Sequence, residues 1–509
     1  MNKVLTPILS IIVLVTILHG CISITTYKAV KIKDHFPEVM ARRPPDVKLS
    51  EELILLEKPP KRLTNSTSLI SKDGRAHVFV IDKKSHIYHI EIFGDKVINQ
   101  EHLGEIETKG LMALDAVEHP PGTLRVLAGD KQYFRTAHNL NWQEVKGNRC
   151  TRFVPVGDEL FCAFVAEGEE VTAPERTDYI VGWFILVPIV LWSHDHASKL
   201  VLAQESQDGW IVRAVLDPDT PLDADHDFMV GTDSMGNIHF LYDTSKGSAT
   251  FFISPLLVDA VGSASKHKLQ YAQLAIDQLL AHSRNTQNQV PSLVAAPVKW
   301  LTVNGAPLTH LPLTKQKNTE DHLFAETSIK YFLPRYLPQH PSLSPLHRNF
   351  SVNKVTGDVS GQMWTTTSGF PLDDGNRHLL LRSSLLEVSI RNGQWSPHFN
   401  IVTAKDFLTK SSWDNLVDFL FKADGKGKYH VLLKSWKTGF WKTRKYMHYL
   451  VKDDVNWSAP LTLGSSSYSP TYDASSLAVD DSGVAFAAWV NKEKQFIGRW
   501  IRPRESNLQ

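Results

Sequence analysis

Leu69-Ile-Ser-Lys-Asp-Gly74-Arg-Ala-His77-Val-Phe-Val, Met229-Val-Gly-Thr-Asp-Ser-Met-Gly236-Asn-Ile-His239-Phe-Leu-Tyr, Asp374-Gly375-Asn-Arg-His378-Leu-Leu-Leu and Ala423-Asp-Gly-Lys-Gly427-Lys-Tyr-His430-Val-Leu-Leu are variants of one pattern. Each sets an acid shortly before a glycine, a histidine three residues after that glycine, and an apolar run behind it. A further copy, Leu477-Ala-Val-Asp-Asp481-Ser-Gly483-Val-Ala-Phe486-Ala-Ala-Trp489, puts phenylalanine in the histidine's place. A strand, tight turn, strand unit recurring every fifty residues or so is the mark of a β-propeller, whose sheets cannot bury both faces without neighbours. Gly375 to Gly427 is 52 residues and Gly427 to Gly483 is 56.

Weaker copies fill the front half, at Pro121-Gly122-Thr-Leu-Arg125 and Val156-Gly157-Asp-Glu-Leu160. Gly74, Gly122, Gly157, Gly236, Gly375, Gly427 and Gly483 make seven turns, and the 139 residues from Gly236 to Gly375 leave room for another. The expected fold is therefore all-β, a seven-bladed propeller, with six or eight blades as alternatives. From Leu69 onward, short Val, Ile, Phe and Tyr runs between Gly, Asp and Asn turns agree with it.

Lys3, the apolar run Val4 to Leu18 and the ending Leu18-His19-Gly20-Cys21 read as a secretory signal over residues 1–21. That run is too short for a membrane span of about 20 residues. The ending resembles the lipobox of bacterial lipoproteins, although His19 departs from the small or aliphatic residue usual there. The resemblance implies that Cys21 is acylated and that the chain is exported and held in the cell envelope; Ile22 implies outer-membrane retention where a cell has one. A plain signal peptide or uncleaved anchor is the alternative. Residues 22–60, with Ala41-Arg-Arg-Pro-Pro45 and Glu57-Lys-Pro-Pro-Lys61, read as a tether, or as supplying a closing strand near Leu49 to Leu56. Cys150 and Cys162 flank a hairpin and are a disulfide candidate in an oxidising compartment, with two free thiols as the alternative.

The propeller is expected over 61–509, with insertions near 265–285 and 330–350. Within Ser265 to Ser283, Leu269, Ala272, Ile276, Leu279 and Leu280 fall at helical spacing and predict one inserted amphipathic helix. Pro334 to Pro345, with four prolines, reads as a loop. The uncharged stretch Tyr179 to Trp192 carries Pro188 and is read as two buried strands. A net charge of +1 speaks against a nucleic-acid binder held by phosphate contacts.

His77, His239, His378 and His430 invite two readings: a ring of imidazoles converging at one end of the axis, or a cap on the turn of each blade. Phe486 in the same place favours the cap. Asp217, Asp219, Asp223, Asp225, His226 and Asp227, preceded by His194 and His196, form a polar cluster. His194, His196, Asp225 and Asp227 are the metal candidates, although Leu222 and Phe228 break the EF-hand pattern. No cofactor is expected otherwise.

Asp481-Ser-Gly483-Val-Ala-Phe486 is similar to the Asp-box of sialidase-like propellers, with Phe486 where that motif has tryptophan. Hydrolysis by that family implies an arginine triad, a tyrosine paired with a glutamate, and an acidic proton donor. Of these only Arg335, in Tyr331-Phe-Leu-Pro-Arg335, is suggested, with its motif order disturbed. The function expected from sequence is a lipid-anchored, envelope-located binding module for a glycan or a partner protein, with Trp183, Trp364, Trp395, Trp413 or Trp436 rimming the binding face. A sialidase-like glycoside hydrolase is the alternative.

Overall fold

The computed structural model describes residues 43–57, 63–106, 114–129, 131–145, 150–166, 177–184, 187–193, 199–206, 209–216, 228–251, 262–277, 301–302, 348, 350–369, 380–391, 394–397, 402–403, 415–438, 443–453, 456–467 and 474–504. The ordered elements among the described residues are strands, and only residues 276–277 and 348 of them are helical. Seven antiparallel sheets of four or five strands follow one another along the chain. The first is Leu63–Ile70, Ala76–Asp82, His86–Phe93 and Lys96–Glu105; the second is Leu114–Glu118, Thr123–Ala128, Lys131–Thr136 and Gln143–Val145. The third to sixth sheets begin at Arg152–Val156, Phe228–Thr232, Phe350–Val352 and Asn415–Ala423. The seventh comprises Ser475–Val479, Ala485–Val490 and Phe496–Pro503.

The opening strand of each sheet packs against the opening strand of the next, and that of the seventh packs against that of the first, so the series closes into a propeller-type ring. The middle strands explain why. Ala76–Asp82 is buried throughout. Val78 and Val80 pack with Phe486, Ala488 and Trp500 of the seventh sheet, while Phe79 and Ile81 pack with Val126, Ala128 and Tyr133 of the second. Because side chains alternate between faces, a strand covered on both sides must be apolar at every step. Each such side chain contributes about 1.5–3 kcal/mol only when a neighbouring sheet covers it.

Val47–Leu49 and Leu53–Leu56 both pair antiparallel with Phe496–Pro503, so the seventh sheet is built from the two ends of the chain. Part of the 22–60 stretch read as a tether thus belongs to the fold, with Leu55 fully buried. Hydrogen bonds also lace the first turns of successive sheets together. The Lys72 amide donates to Glu118 at 2.7 Å, His119 to the Asp158 carbonyl at 3.2 Å, and Ser234 N–H to the Lys354 carbonyl at 2.8 Å. The Asn353 amide donates to the Gly427 carbonyl at 3.0 Å and Lys426 to the Ser482 carbonyl at 2.9 Å.

Two sequence expectations are corrected. The helix expected over Ser265 to Ser283 is, through Ala275, the strand Gly262–Ala275, paired along its length with Asn237–Phe251. That long second strand presents a ladder of N–H and C=O groups, and a third strand satisfies them where a helix cannot. Tyr271, Ala272 and Leu274 are buried; Leu279 and Leu280 lie outside the described residues. The fifth turn is the other correction. It is Asn353 to Gly357, with Gly357 at φ +73°, and Gly375 lies outside the described residues. Tyr179 to Trp192 forms the hairpin Thr177–Phe184 and Val187–Ser193, which lies against Asn237–Phe251. Among the described residues no helix is long and apolar enough to cross a membrane.

Candidate functional site

The repeat histidines are pinned one by one. His239 Nε2 meets Asp233 Oδ2 at 3.0 Å and its Nδ1 meets the Tyr271 hydroxyl at 2.8 Å. His430 sits likewise between Asp424 Oδ2, 3.2 Å, and the Tyr449 hydroxyl, 2.5 Å. Each aspartate also caps its own turn, Asp233 accepting from the Met235 and Asn237 amides and Asp424 from those of Lys426 and Lys428. Burial drives the Tyr271 and Tyr449 hydroxyls upward, and burial lowers the His239 imidazole against the pull of Asp233. His77, His239 and His430 each open the second strand of a different sheet and bond within that sheet. His378 lies outside the described residues.

A register rule links these pairs. His239 faces Gln273 across the ladder and touches Tyr271 two residues earlier; His430 faces Val451 and touches Tyr449. Phe486 faces Trp500, and the residue two earlier is Gly498, where a Cβ would come within 2.4 Å of the Phe486 ring. An imidazole and a hydroxyl fill the space in one sheet; a phenyl ring fills it alone in another.

The first sheet departs from this. His77 Nε2 contacts Ser71 Oγ at 3.2 Å, and its Nδ1 faces His89 Nε2 at 3.1 Å. His89 Nδ1 contacts Glu101 at 2.7 Å, and Trp142 Nε1 donates to the same carboxylate at 2.7 Å. Glu91 accepts from Arg75 at 2.6 Å and from Arg135 at 3.1 Å. Strand alternation places His77, His89 and Glu91 on the face turned to the second sheet, which supplies Arg135 and Trp142. Burial, with His89 beside it, pushes His77 down to about 3; burial also lowers His89. For Glu91, burial acts upward, but the Arg75 and Arg135 hydrogen bonds outweigh it and hold the carboxylate below its ordinary range.

A separate group lies on the opening strands, which line the axis. Asp115 belongs to the second sheet, Arg152 to the third and Lys422 to the sixth, while Arg348 precedes the fifth. The second and sixth sheets are not neighbours in the ring, yet Asp115 and Lys422 act on each other electrostatically, as do Lys422 and Arg348. These side chains are therefore near enough to act on one another across the ring. Arg348 also donates to the Ser475 hydroxyl and carbonyl, both at 3.0 Å. Asp115 Oδ2 accepts the Phe153 amide at 2.8 Å and Oδ1 the Ala116 amide at 3.0 Å. Burial raises the Asp115 carboxyl against Arg152, and burial lowers the Lys422 ammonium, with Arg152 and Arg348 adding to that fall and Asp115 opposing it. Three basic groups, Arg152, Arg348 and Lys422, thus act on one another or on Asp115 in this group.

A disulfide joins Cys150 and Cys162, with Cα atoms 5.5 Å apart. Cys21, Arg335 and the metal candidates His194, His196, Asp225 and Asp227 lie outside the described residues. Sequence reasoning passed over Asp115, Arg152, Arg348 and Lys422, which share no motif. His89 and Glu91 had a legible signal, two polar residues at alternate positions of the apolar strand His86–Phe93.

No family model matches the chain, and no curated protein does. Among solved structures, a polysaccharide lyase of family 25, an ulvan lyase, superposes over 91% of this chain and 96% of its own, at 10% identity and a TM-score of 0.41. A protein of unknown function from Dyadobacter fermentans covers 90% and 100%, at 9% identity and 0.37. The α-L-arabinanase of Penicillium chrysogenum, complexed with arabinobiose, covers 90% and 98%, at 10% identity and 0.31. Likeness at these scores carries no argument about what this chain binds or does.

Proposed function

We propose that the chain is an exported, seven-bladed β-propeller, anchored to the cell envelope through Cys21, that binds an acidic ligand at the axis of the ring. A glycan bearing carboxylate or sulfate groups is the ligand class that suits an extracellular location. One observation carries the reading: Arg152 of the third sheet, Lys422 of the sixth and Arg348, just ahead of the fifth, gather around Asp115, whose two oxygens each accept a backbone amide. Guanidinium groups pair with carboxylates and sulfates in two-point geometry. Export supplies the oxidising setting in which the Cys150–Cys162 bridge persists.

Calorimetric titration of the chain with oligogalacturonate, a sulfated oligosaccharide and a neutral oligosaccharide of equal length tests this. The acidic ligands are expected to bind and the neutral one not, and Lys422→Gln is expected to weaken binding at least tenfold. Equal binding of the neutral oligosaccharide, or unchanged affinity in Lys422→Gln, refutes the axial site.

A further inference from the structure

The polar group between the first and second sheets contains a proton deficit. Ser71 Oγ lies 2.5 Å from Asp73 Oδ1 and 3.1 Å from the Arg75 carbonyl, both acceptors, so the single hydroxyl proton points to them. The hydroxyl must then accept from His77, which places a proton on His77 Nε2. At the other end, Glu101 is an ionised carboxylate that already receives Trp142 Nε1, so His89 Nδ1 donates to it. Each neutral imidazole has now spent its one proton. The two remaining nitrogens, His77 Nδ1 and His89 Nε2, present lone pairs to each other at 3.1 Å inside the protein. That contact is repulsive unless a cation joins it.

We propose that His77, His89 and Glu91 bind a divalent transition-metal ion of the zinc type. The ligand atoms of the three residues all lie within 4.8 Å of one another. Zinc bonds of about 2.0–2.1 Å at a tetrahedral centre put two imidazole nitrogens roughly 3.3 Å apart, close to the observed spacing. The ring planes lie 15° apart with centroids 5.3 Å from each other, so the ion sits off the line joining the nitrogens, and both rings turn to direct their lone pairs onto it. Each Glu91 oxygen accepts one guanidinium and keeps a second lone pair. Glu101 behind His89 and Ser71 behind His77 are the outer partners that fix the tautomer of a metal-bound histidine. Charge favours a cation too: among the described residues, Asp73, Glu91 and Glu101 pair with Arg75 and Arg135, three negative charges against two positive. The ion would clamp two strands of the first sheet together without touching the axial site, so this inference stands or falls independently of the proposed function.

The untagged full chain is stripped with a chelator, dialysed, and titrated at neutral pH with Zn²⁺ and, separately, Co²⁺. One equivalent is expected to be retained, with the visible absorption of tetrahedral Co²⁺. His89→Gln should lower affinity at least tenfold, while His448→Gln, at a buried histidine of the sixth sheet, leaves it unchanged. Absence of retained metal in the unaltered chain overturns the site, as does equal retention by His89→Gln. Selective ¹⁵N-histidine NMR of the unaltered chain decides the matter even if a variant misfolds. Zn²⁺ should shift His77 Nδ1 and His89 Nε2, and a proton shared between those nitrogens that Zn²⁺ does not displace refutes the proposal.

Discussion

Gly498→Ala is expected to destabilise the protein by about 2–3 kcal/mol, the upper range for forcing a methyl group into a packed core. The new Cβ would lie 2.4 Å from Phe486 Cζ, 3.0 Å from its Cε1 and 3.1 Å from Leu55 Cδ1. None of the three can yield cheaply. Phe486 is fully buried and held edge-on to Trp500 at 5.0 Å, Leu55 is fully buried, and the Gly498 backbone is paired on both sides, with Ala488 and with Leu53. Unfolding entropy scales with chain length, so for a chain this size 1 kcal/mol moves Tm by only about 1 °C, and denaturant midpoints are the better assay. In a Phe486→Leu background the ring atoms that meet the new methyl are gone, and the same glycine substitution should cost less than about 1 kcal/mol. A neutral Gly498→Ala, or an equal cost in both backgrounds, would refute the claim that glycine and phenylalanine share one space as histidine and tyrosine do in the fourth and sixth sheets.

Gly357→Ala should cost about 2 kcal/mol by denaturant unfolding, since φ is +73° and a Cβ would meet Asp233 Oδ2 at 2.8 Å. His448, buried between Ser435 and Thr462, is held neutral by burial down to about pH 3, whereas the unfolded chain takes up that proton near pH 6.5. Between those values the unfolded state binds more protons, so stability falls with falling pH at up to about 1.36 kcal/mol per unit; His448→Gln should flatten the slope, and an unchanged slope refutes the assignment. Cys21→Ser should release the chain from membranes in fractionation, and normal processing with tight membrane association would contradict anchoring through that residue. Purified chain is expected not to turn over sialosides or aryl glycosides, because Asp115 is locked by two amides; hydrolysis abolished by Asp115→Asn would promote the enzyme reading.

The turns were legible because their chemistry is local. Asp233, Gly236 and His239 lie within seven residues, and the aspartate bonds to amides two and four positions on, so spacing along the chain is spacing in space. The copy at Asn353 went unseen because asparagine replaces the acid and one extra residue separates it from its glycine. The apolar stripe at 265–283 misled for a related reason: helical and strand periods coincide over a few residues, and only the unpaired ladder of Asn237–Phe251 selects between them. By itself, then, the sequence determined an all-β chain of repeated hairpins with glycine turns. Ring closure decided the rest. It brought Asp115 to Lys422, more than three hundred residues away, set Arg135 and Trp142 over His89 and Glu91, and drew Val47–Leu49 to the last strand of the chain. No local spacing records such meetings, because they depend on where each sheet stands around the axis.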